Sequence, residues 1–170
     1  NFKMLQVVQI ESSEQLQDYR DMVAELRAWY SEMLWEFGLD INDLFPLSKQ
    51  PPGNEIPVEF SPPTGCLLLA SYDRQPAGCG GLRMLTSTTG EINRIYVRPA
   101  FRGKGIGRTL VDTLISNARQ IGYTSLRLNT ASFMKEAHAL YHSVGFKDIV
   151  AYREIPNAFK PYELFMELAL

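Results

Sequence analysis

Apolar and polar positions recur along the chain with enough regularity to lay out most of its elements. Residues 3–10, "KMLQVVQI", read as a first strand. "SSEQ" follows as a capping box, with Ser12 as N-cap and Gln15 three residues on. Leu16, Tyr19, Val23, Leu26, Tyr30, Met33 and Phe37 then repeat at spacings of three and four, which predicts one long helix ending near Gly38. The stripe stops after about three heptads, so a helix laid on a sheet fits it better than a coiled coil.

Residues 38–65 break the pattern. They hold six of the ten prolines, Pro46, Pro51, Pro52, Pro57, Pro62 and Pro63, too many for a long regular element. A connector of this length is either functional or a surface strap. Glu55, Glu59 and Phe60 make a substrate-facing role conceivable.

Strand signals then come quickly. "CLLLASY" and "AGCGGLRML" flank "DRQP" and predict a hairpin turning at Arg74-Gln75. "EINRIYV" (91–97) is the next strand. Ile106, Leu110, Val111, Leu114, Ile115 and Ala118 form the stripe of a second long helix that Gly122 would stop. "SLRLNT" (125–130) is a strand, a helix covers about 134–143, and "FKDIVAY" and "ELFMELAL" close the chain as strands. This order predicts an α/β (α+β) domain spanning 1–170, a mixed sheet with helices on both faces.

Composition narrows the class only modestly. The formal net charge is −2, so nothing global points to nucleic acid or an anionic membrane. No apolar run reaches the roughly 20 residues of a membrane span, and no signal-peptide layout opens the sequence. If the hairpin sets Cys79 opposite Ala70, Cys66 lies about four residues further along, roughly 13 Å away. That is too far to bridge. Two reduced thiols and a cytoplasmic location are expected.

The chemistry concentrates in "RPAFRGKGIGRTL" (98–110), where three glycines and four basic residues run into the start of the second long helix. A helix start leaves backbone N–H groups without partners and carries a partial positive charge. Gly103, Gly105 and Gly107 let the backbone approach a ligand, and Arg102, Lys104 and Arg108 add charge, a combination suited to a phosphate or pyrophosphate. Neither the G-x-x-x-x-G-K-[ST] nor the G-x-G-x-x-G string is present, which argues against nucleoside-triphosphate and dinucleotide sites. A basic strand-to-helix turn with no ligand is the alternative.

"EINRIYVRPAFRGKGIGRTL", together with "A-x-x-L-Y-x-x-x-G-F" inside "LNTASFMKEAHALYHSVGF" (128–146), resembles the GNAT superfamily of N-acetyltransferases. The resemblance implies a mostly antiparallel mixed sheet whose central strands, 91–97 and 125–130, splay apart around the pantetheine arm of acetyl-CoA. It implies that backbone groups of Ile95, Tyr96 and Val97 meet the thioester and pantetheine. It places the pyrophosphate on Gly103, Lys104, Gly105, Ile106, Gly107 and Arg108, with Arg102 supporting the turn. Asn129 would bond the pantetheine amides or else cap the adjoining turn, and Met134 stands where many members have asparagine. No metal is implied: His138 and His142 have an i, i+4 spacing but no evident third ligand.

An alkyl amine is only about one part in a few thousand neutral at pH 7, a penalty of roughly 4–5 kcal/mol, so transfer to an amine needs a proton acceptor. By the resemblance Glu91 is the base, acting through water because Ile95 lies roughly 13 Å along the strand. A salt-bridged strand-end glutamate is the alternative. Tyr141 is the implied acid for the departing thiolate, or else a core tyrosine. The expected partners are a small-molecule or peptide amine and, as the family often dimerises, a second copy. Trp29 or Trp35 would suit such an interface, or a core. A non-catalytic acyl-CoA-binding module is the rival function.

Overall fold

The computed structural model describes residues 4–47 and 55–170. Lys3, Pro51 and Pro52, which figure in the elements expected above, lie outside these residues. The elements are β1 (Leu5–Gln9), α1 (Ser13–Glu36), β2 (Cys66–Tyr72), β3 (Gln75–Met84), β4 (Thr89–Val97), α2 (Ile106–Ile121), β5 (Ser125–Ala131), α3 (Lys135–Ser143), β6 (Lys147–Ile149) and β7 (Glu163–Ala169). The capping box forms as expected. The Ser12 hydroxyl accepts the Gln15 N–H at 3.1 Å, and Gln15 Oε1 accepts the Ser12 N–H at 3.0 Å. Gly38, at φ 75°, lies just past the end of α1.

The strands make one seven-stranded sheet in the order β1-β2-β3-β4-β5-β7-β6. Every neighbouring pair is antiparallel except β4 and β5. Parallel strands need a long crossover, and α2 supplies it. Strand alternation divides the core in two. Cys66, Leu68 and Ala70 of β2 pack on the α2 side, while Leu67 and Leu69 join Leu16, Tyr19 and Met22 of α1. All six stripe residues of α2 are buried. A fully buried leucine such as Leu114 contributes roughly 1.5–3 kcal/mol. Three of the seven α1 stripe residues, Val23, Leu26 and Tyr30, also border a cavity.

Three expectations are corrected. The hairpin turns at Asp73-Arg74, both at positive φ (49° and 68°), as a type I′ turn requires. With a bulge between Ala70 and Ser71, Cys79 faces Leu69 rather than Ala70. Both cysteines are free and buried, as expected. Phe60 does not face a substrate; it is a core residue, 2% exposed, lying against Gly81. The strand in "FKDIVAY" shrinks to Lys147–Ile149, because the chain leaves the sheet edge at the exposed Val150 and Tyr152 turns back to bond Glu91. Trp35 is exposed, whereas Trp29 meets Phe133 edge-on at 5.8 Å.

Gly90 stands in the short paired stretch of β4 and β5, opposite Leu126. A Cβ there would lie 2.8 Å from Tyr123 Cδ2, 2.9 Å from Leu82 Cδ1 and 3.0 Å from Leu126 Cδ2. Three buried side chains cannot all retreat in a close-packed interior. Gly90→Ala is therefore expected to cost about 1–3 kcal/mol, read as a lowered urea midpoint at unchanged slope. An unchanged midpoint would show that this packing is looser than described.

Candidate active site

β4 and β5 pair only from Thr89 to Glu91, against Ser125 to Arg127, and then part. Their divergence has a local cause. Asn93 faces Gly81 and Tyr96 faces Cys79, so Arg94 and Ile95 together oppose Gly80. An extra residue of this kind bends its strand, and here Arg94 takes φ 57°. Ile95 packs closely on Gly80 at that point: a Cβ there would lie 2.5 Å from Ile95 Cδ1 and displace it. β5 meanwhile keeps its pairing with β7 out to Ala131. The Arg98 N–H donates to Ala77 O of β3, so the backbone groups of Val97, one residue back, face the gap. Arg102 Nε donates to the carbonyl of Val97 at 3.0 Å, which anchors the glycine-rich turn to the strand end.

At the end of the gap the chain enters α2. Gly103 and Gly105 sit at φ 79° and 77°, and Gly105 is the N-cap. With no side-chain cap, the N–H groups of Ile106, Gly107 and Arg108 remain open to an anion. A groove of about 520 Å³ runs from this turn between the end of β4 and the start of α3. It collects Ile95, Tyr96, Val97, Arg102, Gly103, Gly105, Ile106 and Gly107 of the residues expected to hold acetyl-CoA. Lys104 and Arg108 line no part of it: Lys104 Nζ lies over the Tyr72 ring at 5.0 Å, and Arg108 pairs with Asp112 at 3.3 Å. Phe133, Met134 and Leu140 form much of the far wall.

Leu26, Ile95 and Met134 are shared between the groove and a second cavity of about 420 Å³. Tyr141 reaches that cavity from α3, with its ring edge-on to Phe146 at 5.8 Å. Its hydroxyl makes no hydrogen bond among the described residues. Burial pushes its pKa well above the usual tyrosine value, so the phenol keeps its proton.

Asn129 also lines this cavity, but its amide is committed. Nδ2 donates to Glu163 Oε2 at 2.9 Å and to Leu164 O at 3.0 Å, while Oδ1 accepts from Arg153. These bonds tie β5 to β7. The two histidines act separately: His138 meets Ala131 O at 2.7 Å and His142 meets Asp148 at 2.9 Å. Among the described residues no group of three or more His, Cys, Asp and Glu is arranged to hold a metal, and no helix is long and apolar enough to cross a membrane.

Glu91 lines neither space. It is 1% exposed, and Oε1 accepts Arg83 Nε at 2.9 Å and Asn93 Nδ2 at 2.8 Å. Oε2 accepts the Tyr152 hydroxyl at 2.5 Å, with Arg153 at 3.7 Å. Burial alone would raise this carboxyl, but the hydrogen bonds from Tyr152 and Asn93 and the charges of Arg83 and Arg153 outweigh it and hold the pKa below the usual glutamate value. Of the two readings of Glu91, the salt-bridged glutamate is the one its surroundings favour. A saturated, strongly acidic carboxylate is a poor base.

Glu163, missed in the sequence, has the opposite setting. It opens β7, is 8% exposed and lines the cavity with Tyr141. Oε1 accepts the Tyr30 hydroxyl at 2.7 Å. Burial raises its pKa; Tyr30, Asn129 and Arg153 offset that only in part. Its one sequence signal was a carboxylate opening the otherwise apolar "ELFMELAL".

Residues 20–146 match the model of the acetyltransferase (GNAT) family. The uncharacterized N-acetyltransferase YjgM of Escherichia coli is 32% identical over 117 residues, covering 67% of this chain and 70% of its own. A Klebsiella pneumoniae structure described as an acyl-CoA N-acyltransferase superimposes with a TM-score of 0.72 at 26% identity, over 98% of both chains. A GNAT family acetyltransferase from Elizabethkingia anophelis with acetyl-CoA bound matches 63% of this chain and 77% of that one, with a TM-score of 0.53 and 26% identity.

The setting of Glu91 has a measurable consequence. Its folded pKa is depressed, so its contribution to stability is complete above the unfolded carboxyl pKa and is lost as pH falls through the folded value. Glu91→Gln is expected to lose about 1–3 kcal/mol at pH 7, because it removes the buried anion that faces the half-buried Arg83 and Arg153. The gap to wild type should close as denaturation is followed down toward pH 3. A gap that stays constant with pH would mean that the carboxylate charge is not what holds the cluster.

Proposed function

The chain belongs to the GNAT acetyltransferase family, and on that premise we propose that it moves an acetyl group from acetyl-CoA to a primary amine. The observation that supports this most is the phenol of Tyr141, without a hydrogen bond among the described residues, in the cavity that adjoins a groove beginning on the uncapped glycine turn. The groove fits the co-substrate: open N–H groups at Ile106, Gly107 and Arg108 suit the pyrophosphate, and the free edge of β4 at Ile95 and Val97 suits the pantetheine amides. Arg102 holds the turn, and Tyr96 closes the groove floor.

Acetyl-CoA supplies an activated acyl carbon, at which the new C–N bond forms as the C–S bond breaks. Glu163 takes the proton that makes the acceptor's nitrogen nucleophilic, directly or through one water, and a raised pKa makes it a better base than Glu91. Tyr141 gives its proton to the leaving thiolate and is reprotonated from the nitrogen, which sheds its second proton as the amide forms. Glu91 acts as a positioning residue, fixing Arg83, Asn93 and Arg153 around the cavity mouth.

Calorimetry with acetyl-CoA tests the site. Wild type is expected to bind one equivalent, and Gly105→Asp/Gly107→Asp to lose at least tenfold in affinity; a folded wild type that ignores acetyl-CoA would sink the reading. Tyr141→Phe is expected to lower kcat about 10²-fold with acetyl-CoA affinity retained. The wild-type rate should fall on the acid side at a pH above the ordinary carboxylate value of about 4.3, and Glu163→Gln should abolish that limb. Binding without thiol release in the presence of any amine would favour the non-catalytic acyl-CoA module.

A further inference from the structure

We propose that the acceptor carries a carboxylate beside its amine, as an α-amino acid with an apolar side chain does, and that Arg27 and Arg94 hold it. This rests on the transferase reading above and goes beyond it by naming the substrate class. Four guanidinium groups line the cavity that holds Tyr141, those of Arg27, Arg83, Arg94 and Arg153, against one lining carboxylate, Glu163. Arg83 and Arg153 have an anion to answer to, lying 2.7 and 3.7 Å from the buried Glu91. Among the described residues Arg27 and Arg94 have none within ion-pair distance. Arg27 Nη2 donates to Asn42 Oδ1 at 2.9 Å, and Arg94 Nη1 donates to the Tyr19 hydroxyl at 2.7 Å while the group lies 5.3 Å from the Phe60 ring centroid. Each uses one bond to a neutral partner out of five N–H donors, which leaves a planar fork of the geometry a carboxylate accepts.

The charge balance points the same way. Counting Glu91 and Glu163 against the four arginines leaves a surplus of positive charge around a confined space, which repels a simple alkylammonium ion. Glu55 and Glu59, the acidic residues of the proline-rich connector, do not line this cavity. A zwitterion resolves the conflict: its ammonium group sits at Glu163 and its carboxylate at Arg27 and Arg94. Val23, Leu26, Ile41, Phe45 and Leu128 supply an apolar lining for the side chain.

The test compares L-phenylalanine, L-methionine and L-leucine, each beside its amide and its decarboxylated amine, by thiol release from acetyl-CoA. At least one free amino acid should exceed its two uncharged-end analogues at least tenfold in kcat/KM. Arg27→Gln/Arg94→Gln should shrink that preference at least tenfold, mostly through KM. Arg27→Lys/Arg94→Lys should restore part of it, and serves as the working variant if the glutamine pair fails to fold. Equal or better rates for the analogues, a uniform loss across all three compounds in the variants, or no acetylation of any of the nine would overturn the inference. Acetyl-CoA calorimetry on the same preparations separates the two levels. Intact binding with no carboxylate preference removes only this proposal, whereas absent binding removes the transferase reading and this proposal with it.

Discussion

Between Asn93 and Tyr96 the fourth strand carries two residues where its antiparallel neighbour carries one, and the rest of the site follows from how that surplus is absorbed. The strand bends at Arg94 while β5 stays locked to β7 for seven residues, so the only parallel pair in the sheet cannot remain closed. The opening exposes one backbone edge of β4 and aims it at the start of α2. Two neighbours hold the bend in place. Gly80 offers no Cβ to resist Ile95, and α1 is fastened over it by Tyr19 on Arg94 and by Glu25 on Arg98, the latter at 2.8 Å. A two-residue irregularity thereby sets both where a long thin ligand can lie and where it must stop.

Two buried glutamates flank this opening with opposite chemistry. Glu91 gathers donors and cations until its negative charge is more comfortable than in water, while Glu163 has fewer donors and is pushed toward holding a proton. Environments that drive two carboxyls apart in this way commonly divide the labour of structure and proton transfer. Arg83 and Arg153 answer to Glu91, so the surplus positive charge of the cavity rests with Arg27 and Arg94. The structural anion and the electrostatic character of the acceptor space are therefore parts of one arrangement.

Local features were legible in the sequence. The capping box at Ser12, the stripe and glycine stop of α2, and the glycines of the turn depend on residues within a few positions, and each forms as read. The family resemblance also singled out Tyr141, which lines the cavity adjoining the groove. Features requiring distant partners were not legible. Nothing near Arg94 marks it for positive φ; the room for the bend is left by Gly80, across the sheet. Glu91 stood at the expected position, but its character is decided by Arg83 and by Tyr152, 61 residues away. Glu163 is buried against Tyr30, 133 residues back in the chain, a setting that no nearby residue foretells. The "FKDIVAY" strand failed for the same reason, since Tyr152 is worth more to the Glu91 cluster than to a sheet edge.

The two cysteines carry one more implication. Cys66 lies under α2 and Cys79 under α1, on opposite faces of the sheet. Burial pushes the Cys79 thiol up to about 12 and raises that of Cys66, so neither supplies appreciable thiolate while its layer is shut. Each sulfur is thus a sealed stopwatch for one layer. The rate at which an alkylating reagent captures Cys79 times the lifting of α1, and the rate at Cys66 times the lifting of α2. The chain carries, without any added label, a means of telling whether its two helical coverings open together or one at a time.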